Sequence, residues 1–246
     1  HFATMITGEG ESKAAVAEPA DDAPSKGDYA GWKHWREEDF GSFSRREARY
    51  FGWLLKQCHT GPLHHVLEVG FGNGAFLGYA HQRGLAVSGV EQLPVLCERA
   101  RRAGWPACAS IDDLAPGQRL ELIAAFDVLE HLPQGELVTW ISALRDRLNP
   151  GGTLLFRVPN GESPFGRQNQ HGDLTHQTTL GLSKFHQIAG RCGLEVAWHG
   201  DVPRHVTTRG LKNLARAAVR RLIELTLAFA HDWDANNLGA NLVVAL

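Results

Sequence analysis

The chain has 246 residues, enough for one α/β domain of ordinary size with extensions and a substantial core. A formal charge of -2 gives no whole-protein reason to expect a nucleic-acid partner. No uninterrupted apolar run reaches the roughly 18 residues of a membrane-spanning helix. Four scattered cysteines, Cys58, Cys97, Cys108 and Cys192, form no C-x-x-C pair and read as reduced core thiols, not as a disulfide framework or zinc site.

The only methionine is Met5, and the four residues before it read as foreign to the natural chain. Residues 6–28 are rich in Gly, Ala, Glu, Asp, Ser and Pro, bury almost nothing, and are expected to be disordered. No charged-then-apolar leader follows Met5, so a cytoplasmic protein is expected. From Tyr29 the composition changes: Trp32, Trp35, Phe40, Phe43, Tyr50, Phe51 and Trp53 crowd a segment that also carries Arg45, Arg46, Glu47 and Arg49. Ser44 can cap a helix running through Gln57, with Glu47 three residues on completing a capping box. This N-terminal helical cap, 29–60, either packs against a sheet edge or forms a lid over a ligand. The main domain then spans 61–246.

Strands and helices alternate from there in the manner of a parallel sheet. Strands are expected at 64–69, 85–90, 107–110, 120–126, 153–158, 194–198 and 241–246. Helices are expected at 74–83, 94–102, 135–148 and 183–192, the last ending at Gly193 as a C-terminal glycine. Asn149-Pro150-Gly151-Gly152 reads as the turn into the fifth strand. An insertion helix at 210–230 places Leu211, Leu214, Ala215, Ala218, Leu222, Leu225 and Phe229 on one face. It also carries Arg209, Lys212, Arg216, Arg220 and Arg221 against the single acid Glu224. That pattern fits a helix packed on the sheet with a solvated charged face. It also fits contact with a membrane surface or an acidic glycan through residues 209–221.

The stretch Val66-Leu67-Glu68-Val69-Gly70-Phe71-Gly72-Asn73-Gly74 is an apolar strand closing on a carboxylate and alternate glycines. Glycines there permit a tight turn and close approach of a ligand, and the following helix points its first amides at that ligand. Read as Gly70-x-Gly72-x-x-Ala75, with Glu91 about 20 positions on, the turn fits a dinucleotide fingerprint. Read as Glu68-x-Gly70-x-Gly72-x-Gly74, it resembles the first motif of the class I S-adenosylmethionine-dependent methyltransferases.

Downstream strings choose between them. Asp127-Val128-Leu129-Glu130-His131-Leu132-Pro133, then Leu148-Asn149-Pro150-Gly151-Gly152, then Val158-Pro159-Asn160 resemble one branch of that family in order and spacing. The branch contains the ubiquinone-biosynthesis O-methyltransferases and methyltransferases of polysaccharide gene clusters. The resemblance covers about 64–200. It implies a Rossmann-like α/β fold with a seven-stranded sheet and a reversed last strand. It also implies S-adenosylmethionine as methyl donor, cradled by Glu68, Gly70, Phe71, Gly72 and Gly74. Glu91, with Gln92 beside it, is expected to accept the ribose hydroxyls in charge-assisted hydrogen bonds. Ser110, Ile111 and Asp112 match the adenine-holding segment, with serine where an aspartate is common. Asp127 is expected beside the sulfonium.

A sugar hydroxyl is a poor nucleophile while protonated, so a base has to take its proton during attack. His131 is one candidate, and it could equally be an orienting residue. His171-Gly172-Asp173-Leu174-Thr175-His176, in the loop after the fifth strand, offers others. Asp173 and His176 can act as orienter and base, can hydrogen-bond the acceptor, or can join His171 in a divalent-metal site. Asn160, Arg167 and Gln168 belong to the same loop. These residues point to an O-methyltransferase for a sugar of a bacterial surface polysaccharide or its lipid-linked precursor, peripheral to the inner membrane if the basic helix docks there. A phenolic or polyprenyl acceptor is the alternative. A nicotinamide-dependent oxidoreductase and a catalytically silent partner subunit are the rivals from other classes. The oligomeric state is left open.

Overall fold

The computed structural model describes residues 35–201, 210–231 and 237–246. The expected leader, Trp32 and Arg209 lie outside the described residues. Elements run α1 (Arg45–Cys58), β1 (His65–Val69), α2 (Ala75–Gln82), β2 (Ala86–Val90), α3 (Pro94–Arg102), β3 (Ala107–Cys108), β4 (Leu120–Phe126), α4 (Leu137–Arg145), β5 (Leu148–Pro159), α5 (Arg167–His171), α6 (Leu182–Cys192), β6 (Trp198–Gly200), α7 (Leu211–His231) and β7 (Asn241–Ala245).

They form one seven-stranded sheet in the order β3-β2-β1-β4-β5-β7-β6. The first five strands in that order are parallel, and β7 runs antiparallel to both β5 and β6. The alternation of side chains along each strand builds two cores. Leu67, Ile123, Leu154 and Phe156 face α4 and α6, meeting Ile141, Leu144, Phe185 and Ile188. Val66, Leu122, Leu155 and Val243 face the other way, onto Phe51, Leu54, Phe76, Leu77 and Leu96 of α1, α2 and α3. Three of the four cysteines are buried and all are free, as expected of core thiols. Burial pushes the Cys58 thiol up to about 12.

α1 begins with the expected capping box. The Ser44 hydroxyl accepts from the Glu47 amide at 3.2 Å and the Glu47 carboxylate accepts from the Ser44 amide at 2.7 Å. The helix packs its Phe51 ring against Phe76, Tyr79 and Phe126. The segment ahead of it lies across α2, where Gly78 makes room: a Cβ there would sit 1.9 Å from the Gly41 carbonyl oxygen.

Several boundaries differ from expectation. β3 holds two residues, because the Ser110 side chain breaks the ladder to cap a 3₁₀ turn, Ile111–Asp113. The fourth helix starts at Leu137, after a separate 3₁₀ turn at Gln134–Glu136. Asn149–Gly152 is a bulge inside β5, since Leu120 pairs with Leu148 while Leu122 already pairs with Thr153. β6 falls at Trp198–Gly200, past the apolar run expected to form it; Leu194 and Val196 pack instead under the sheet.

α7 corrects the amphipathic reading most sharply. Its apolar face is exposed, with Leu222 at 66% and Phe229 at 93%. Arg220 is the side that docks: it pairs with Glu224 at 2.7 Å, stacks over Phe165 at 4.9 Å and donates to the Leu238 carbonyl. None of the described helices is long and apolar enough to cross a membrane.

Candidate active site

A cavity of about 1870 Å³ opens at the carboxyl ends of β1, β2, β4 and β5, where ligands bind in α/β sheets. Its first half is the turn after β1. Gly70, Gly72 and Gly74 all have positive φ (69°, 52° and 72°). At Gly70 a Cβ would lie 2.5 Å from Val128 Cγ2, and at Gly72 it would lie 2.7 Å from the Trp35 ring. Both conformation and space therefore require glycine. Gly74 caps α2 without a side chain; the Leu77 amide meets the Glu68 carboxylate, and Ala75 and Phe76 line the cavity. Phe71 contributes backbone to the turn, while its ring packs on Gly89 beneath.

Glu68 is buried beside this turn, and burial holds its carboxyl well above the ordinary range. Its Oε2 has no hydrogen-bond partner among the described residues. Glu91, at the end of β2, accepts from the Gly72 amide through Oε2 and from the Leu93 amide through Oε1, both at 3.1 Å. A carboxylate has about four lone-pair sites, so each oxygen keeps capacity for one more donor. Gln92 and Asp112 are exposed at the rim, Ile111 is buried, and the Ser110 hydroxyl is occupied in capping the Asp112 amide.

Asp127 follows β4 with φ of 57°, the only described non-glycine residue in the left-handed region. Aspartate tolerates this conformation better than most side chains. The turn lays its carboxylate along the Arg157 guanidinium in a bidentate pair. Arg157 also stacks over Tyr50 and Phe126, at 5.6 and 5.2 Å from the ring centroids. Arg157 was not expected at the site, and Tyr50 only as one aromatic of a cap that could form a lid; Trp35, Tyr50 and Phe51 of that cap do line the cavity. A lone cation in the apolar run Leu154-Leu155-Phe156-Arg157-Val158 was the available signal.

Beyond Asp127, the loop after β5 folds back on the 3₁₀ turn Leu129–His131. The Gln177 and Thr178 amides donate to the Glu130 carbonyl at 2.8 and 3.0 Å, and the Thr178 hydroxyl donates to the Leu132 carbonyl at 2.6 Å. His131 lines the cavity, and its ring meets that of His176 at 4.7 Å. Asp173 and His176 do not line the cavity; they stand behind His131. Asp173 accepts from the Thr175 amide and hydroxyl at 2.9 and 2.6 Å. Burial would raise its carboxyl, but those Thr175 bonds outweigh it and hold it below its ordinary value. The Thr175 hydroxyl in turn lies 3.0 Å from His131 Nδ1.

Glu130, to which sequence reasoning assigned no role, is fully buried behind the same turn. Both its carboxylate oxygens lack a hydrogen-bond partner among the described residues. Burial first, then the Asp127 charge, pushes its carboxyl up to about 8.

Other expected residues lie elsewhere. Asn160 is buried as a structural tie, donating to the Asn237 and Gly239 carbonyls. Arg167, Gln168 and His171 are exposed on α5, outside the cavity.

A family model described as a methyltransferase domain matches residues 40–221. Among solved structures, an S-adenosylmethionine-dependent methyltransferase from Archaeoglobus fulgidus is similar with a TM-score of 0.61 and 17% identity, covering 85% of this chain and 96% of that one. The CcbJ methyltransferase of Streptomyces caelestis reaches 0.55 at 15% identity, covering 85% and 94%. The mycolic acid cyclopropane synthase CmaA1, complexed with SAH and CTAB, reaches 0.53 at 13% identity, covering 79% and 81%. No curated protein matches the chain. With the glycine turn, the strand-end carboxylates and this strand order already in place, the match over residues 40–221 settles the family: the chain belongs to the methyltransferase-domain family, in the fold of the S-adenosylmethionine-dependent methyltransferases.

Proposed function

We propose that the protein is an S-adenosylmethionine-dependent O-methyltransferase that acts on a sugar hydroxyl of a bacterial surface polysaccharide or its lipid-linked precursor. The donor fits the residues present. The orphaned Glu68 Oε2 suits an ammonium or hydroxyl donor, Glu91 keeps acceptor capacity for a ribose diol, and the start of α2 at Ala75 and Phe76 suits a carboxylate. When bound, the donor supplies an electrophilic methyl on a sulfonium.

The observation that carries the acceptor class is the polar second half of the cavity. Tyr50, Arg157, Thr175, Gln177, Asn213 and Asn241 surround the space beyond His131. Such walls offer several hydrogen-bonding groups to a hydroxyl-rich acceptor. His131 lines this space with a ring oriented through Thr175 to Asp173. In that position it takes the hydroxyl proton as the oxygen bonds to the methyl carbon; the electron pair of the broken C–S bond stays on sulfur. Holding the two reactants in line does much of the remaining work.

α7 supports a lipid-linked acceptor. It lines the cavity with Asn213, Arg216 and Arg220 while presenting Leu214, Leu222 and Phe229 outward, the pattern of a helix lying in a membrane interface.

The test is a mass-resolved assay with the methyl donor, nucleotide sugars, lipid-linked saccharides and simple phenols. Gain of one methylene on a saccharide is expected. Turnover on phenols alone overturns the reading, and donor binding without turnover on any acceptor supports a silent subunit instead.

A further inference from the structure

Glu130, His131 and His176 converge with one ligating atom each, all within 4.8 Å of one another. The two histidine tautomers follow from their partners. His176 Nδ1 lies 2.9 Å from the Gln170 carbonyl oxygen, which can only accept, so Nδ1 carries the proton and Nε2 the lone pair. The Thr175 hydroxyl gives its single proton to Asp173, so it accepts from His131 Nδ1–H, and His131 Nε2 carries the lone pair too. Glu130 adds a fully buried carboxylate without a donor among the described residues. Three groups able to ligate a metal therefore converge at the cavity wall, with Glu130 buried and the two histidines partly buried. His176 and Glu130 do not share a proton, since His176 Nε2 stands 4.0 Å from Glu130 Oε1, beyond hydrogen-bond reach.

We infer that Glu130, His131 and His176 form a binding site for a divalent first-row transition ion, placed at the wall of the methyl-transfer cavity. The ring N–H of each histidine is already engaged by an oxygen, as metal-bound imidazoles generally are. Two imidazoles and a carboxylate suit manganese, iron, cobalt or zinc better than magnesium or calcium, which favour all-oxygen sites. Bond lengths of about 2.0–2.2 Å place three ligand atoms spread evenly round one ion about 3.5–3.8 Å apart, so the trio closes by about an ångström on binding. This set differs from the one the sequence suggested: His171 is exposed and Asp173 is spent on Thr175. The inference rests on the proposed function only for its consequence. An ion here activates an acceptor hydroxyl by lowering its pKa, and His131 then serves as a ligand in place of acting as the base.

Cobalt(II) chloride, titrated into the chelator-treated full chain, is the probe. One equivalent should produce visible d–d absorption and raise the melting temperature. Glu130→Gln and His176→Ala should each weaken cobalt binding by more than about 100-fold, with S-adenosylhomocysteine affinity retained as evidence of folding. His171→Ala should leave cobalt binding unchanged. Absence of stoichiometric binding, or binding indifferent to both variants, overturns the site. Full methyl transfer after chelation overturns its catalytic role while leaving the methyltransferase reading intact.

Discussion

The donor half and the acceptor half of the cavity are built on different principles. The proposed donor half comes from neighbouring strand ends, β1, β2 and β4, and much of it is backbone: three glycines at positive φ and the start of α2. Its side chains, Glu68 and Glu91, each sit at the last turn of a strand. The proposed acceptor half is drawn from α1, the turn after β4, β5, the loop after β5, α7 and β7. A cradle made of backbone is specified by one short string, because glycine spacing and strand ends dictate it. A wall assembled from several distant elements is specified by how those elements dock.

The two halves should therefore fail differently. The largest effect is expected at Gly72→Val, which combines a positive φ with a Cβ driven into the Trp35 ring. Calorimetry with S-adenosylhomocysteine should find binding lost; measurable binding with ordinary affinity would mean that the turn is less rigid than its packing indicates. His131→Ala attacks the other half alone. Turnover should fall by about a hundred- to ten-thousand-fold, with donor affinity unchanged, and a matched loss of donor binding would erase the division between the halves. Glu91→Ala returns to the donor side. Because Glu91 also holds the Gly72 and Leu93 amides, affinity should weaken by about tenfold or more, the scale of a lost charge-assisted contact.

A separate effect, on stability and not on binding or turnover, is a pH slope in metal-free protein. Glu130 titrates near 8 when folded against an ordinary 4.5, so the folded state holds the extra proton between those values. Its contribution to stability is fully present below about pH 4.5 and is lost as pH rises through about 8. Glu130→Gln should flatten this part of the stability profile, measured by urea unfolding from pH 5 to 9. An unchanged slope would show that the buried carboxylate finds a donor in solution.

α7 is a smaller version of the same contrast. Its heptad-like apolar face was legible and its extent nearly so, yet the face it turns inward is the charged one. Arg220 gains Glu224, the Phe165 ring and a carbonyl together, and periodicity carries no information about which neighbour is there to be met.

The fold class, the seven strands with a reversed last one, the α1 capping box and the strand-end position of Glu68 and Glu91 were all readable, because each rests on residues close in sequence. Local turn chemistry, period-two burial and strand-end position need no knowledge of the rest of the chain. The Asp127–Arg157–Tyr50 stack and the Glu130–His131–His176 trio were not readable in this way. Asp173 and His176 were picked out for their chemical types, but their partners lie across the loop closure that Gln177 and Thr178 make on Glu130 and Leu132. Those few hydrogen bonds, formed only once the loop after β5 packs onto the end of β4, turn a set of histidines and acids into a site.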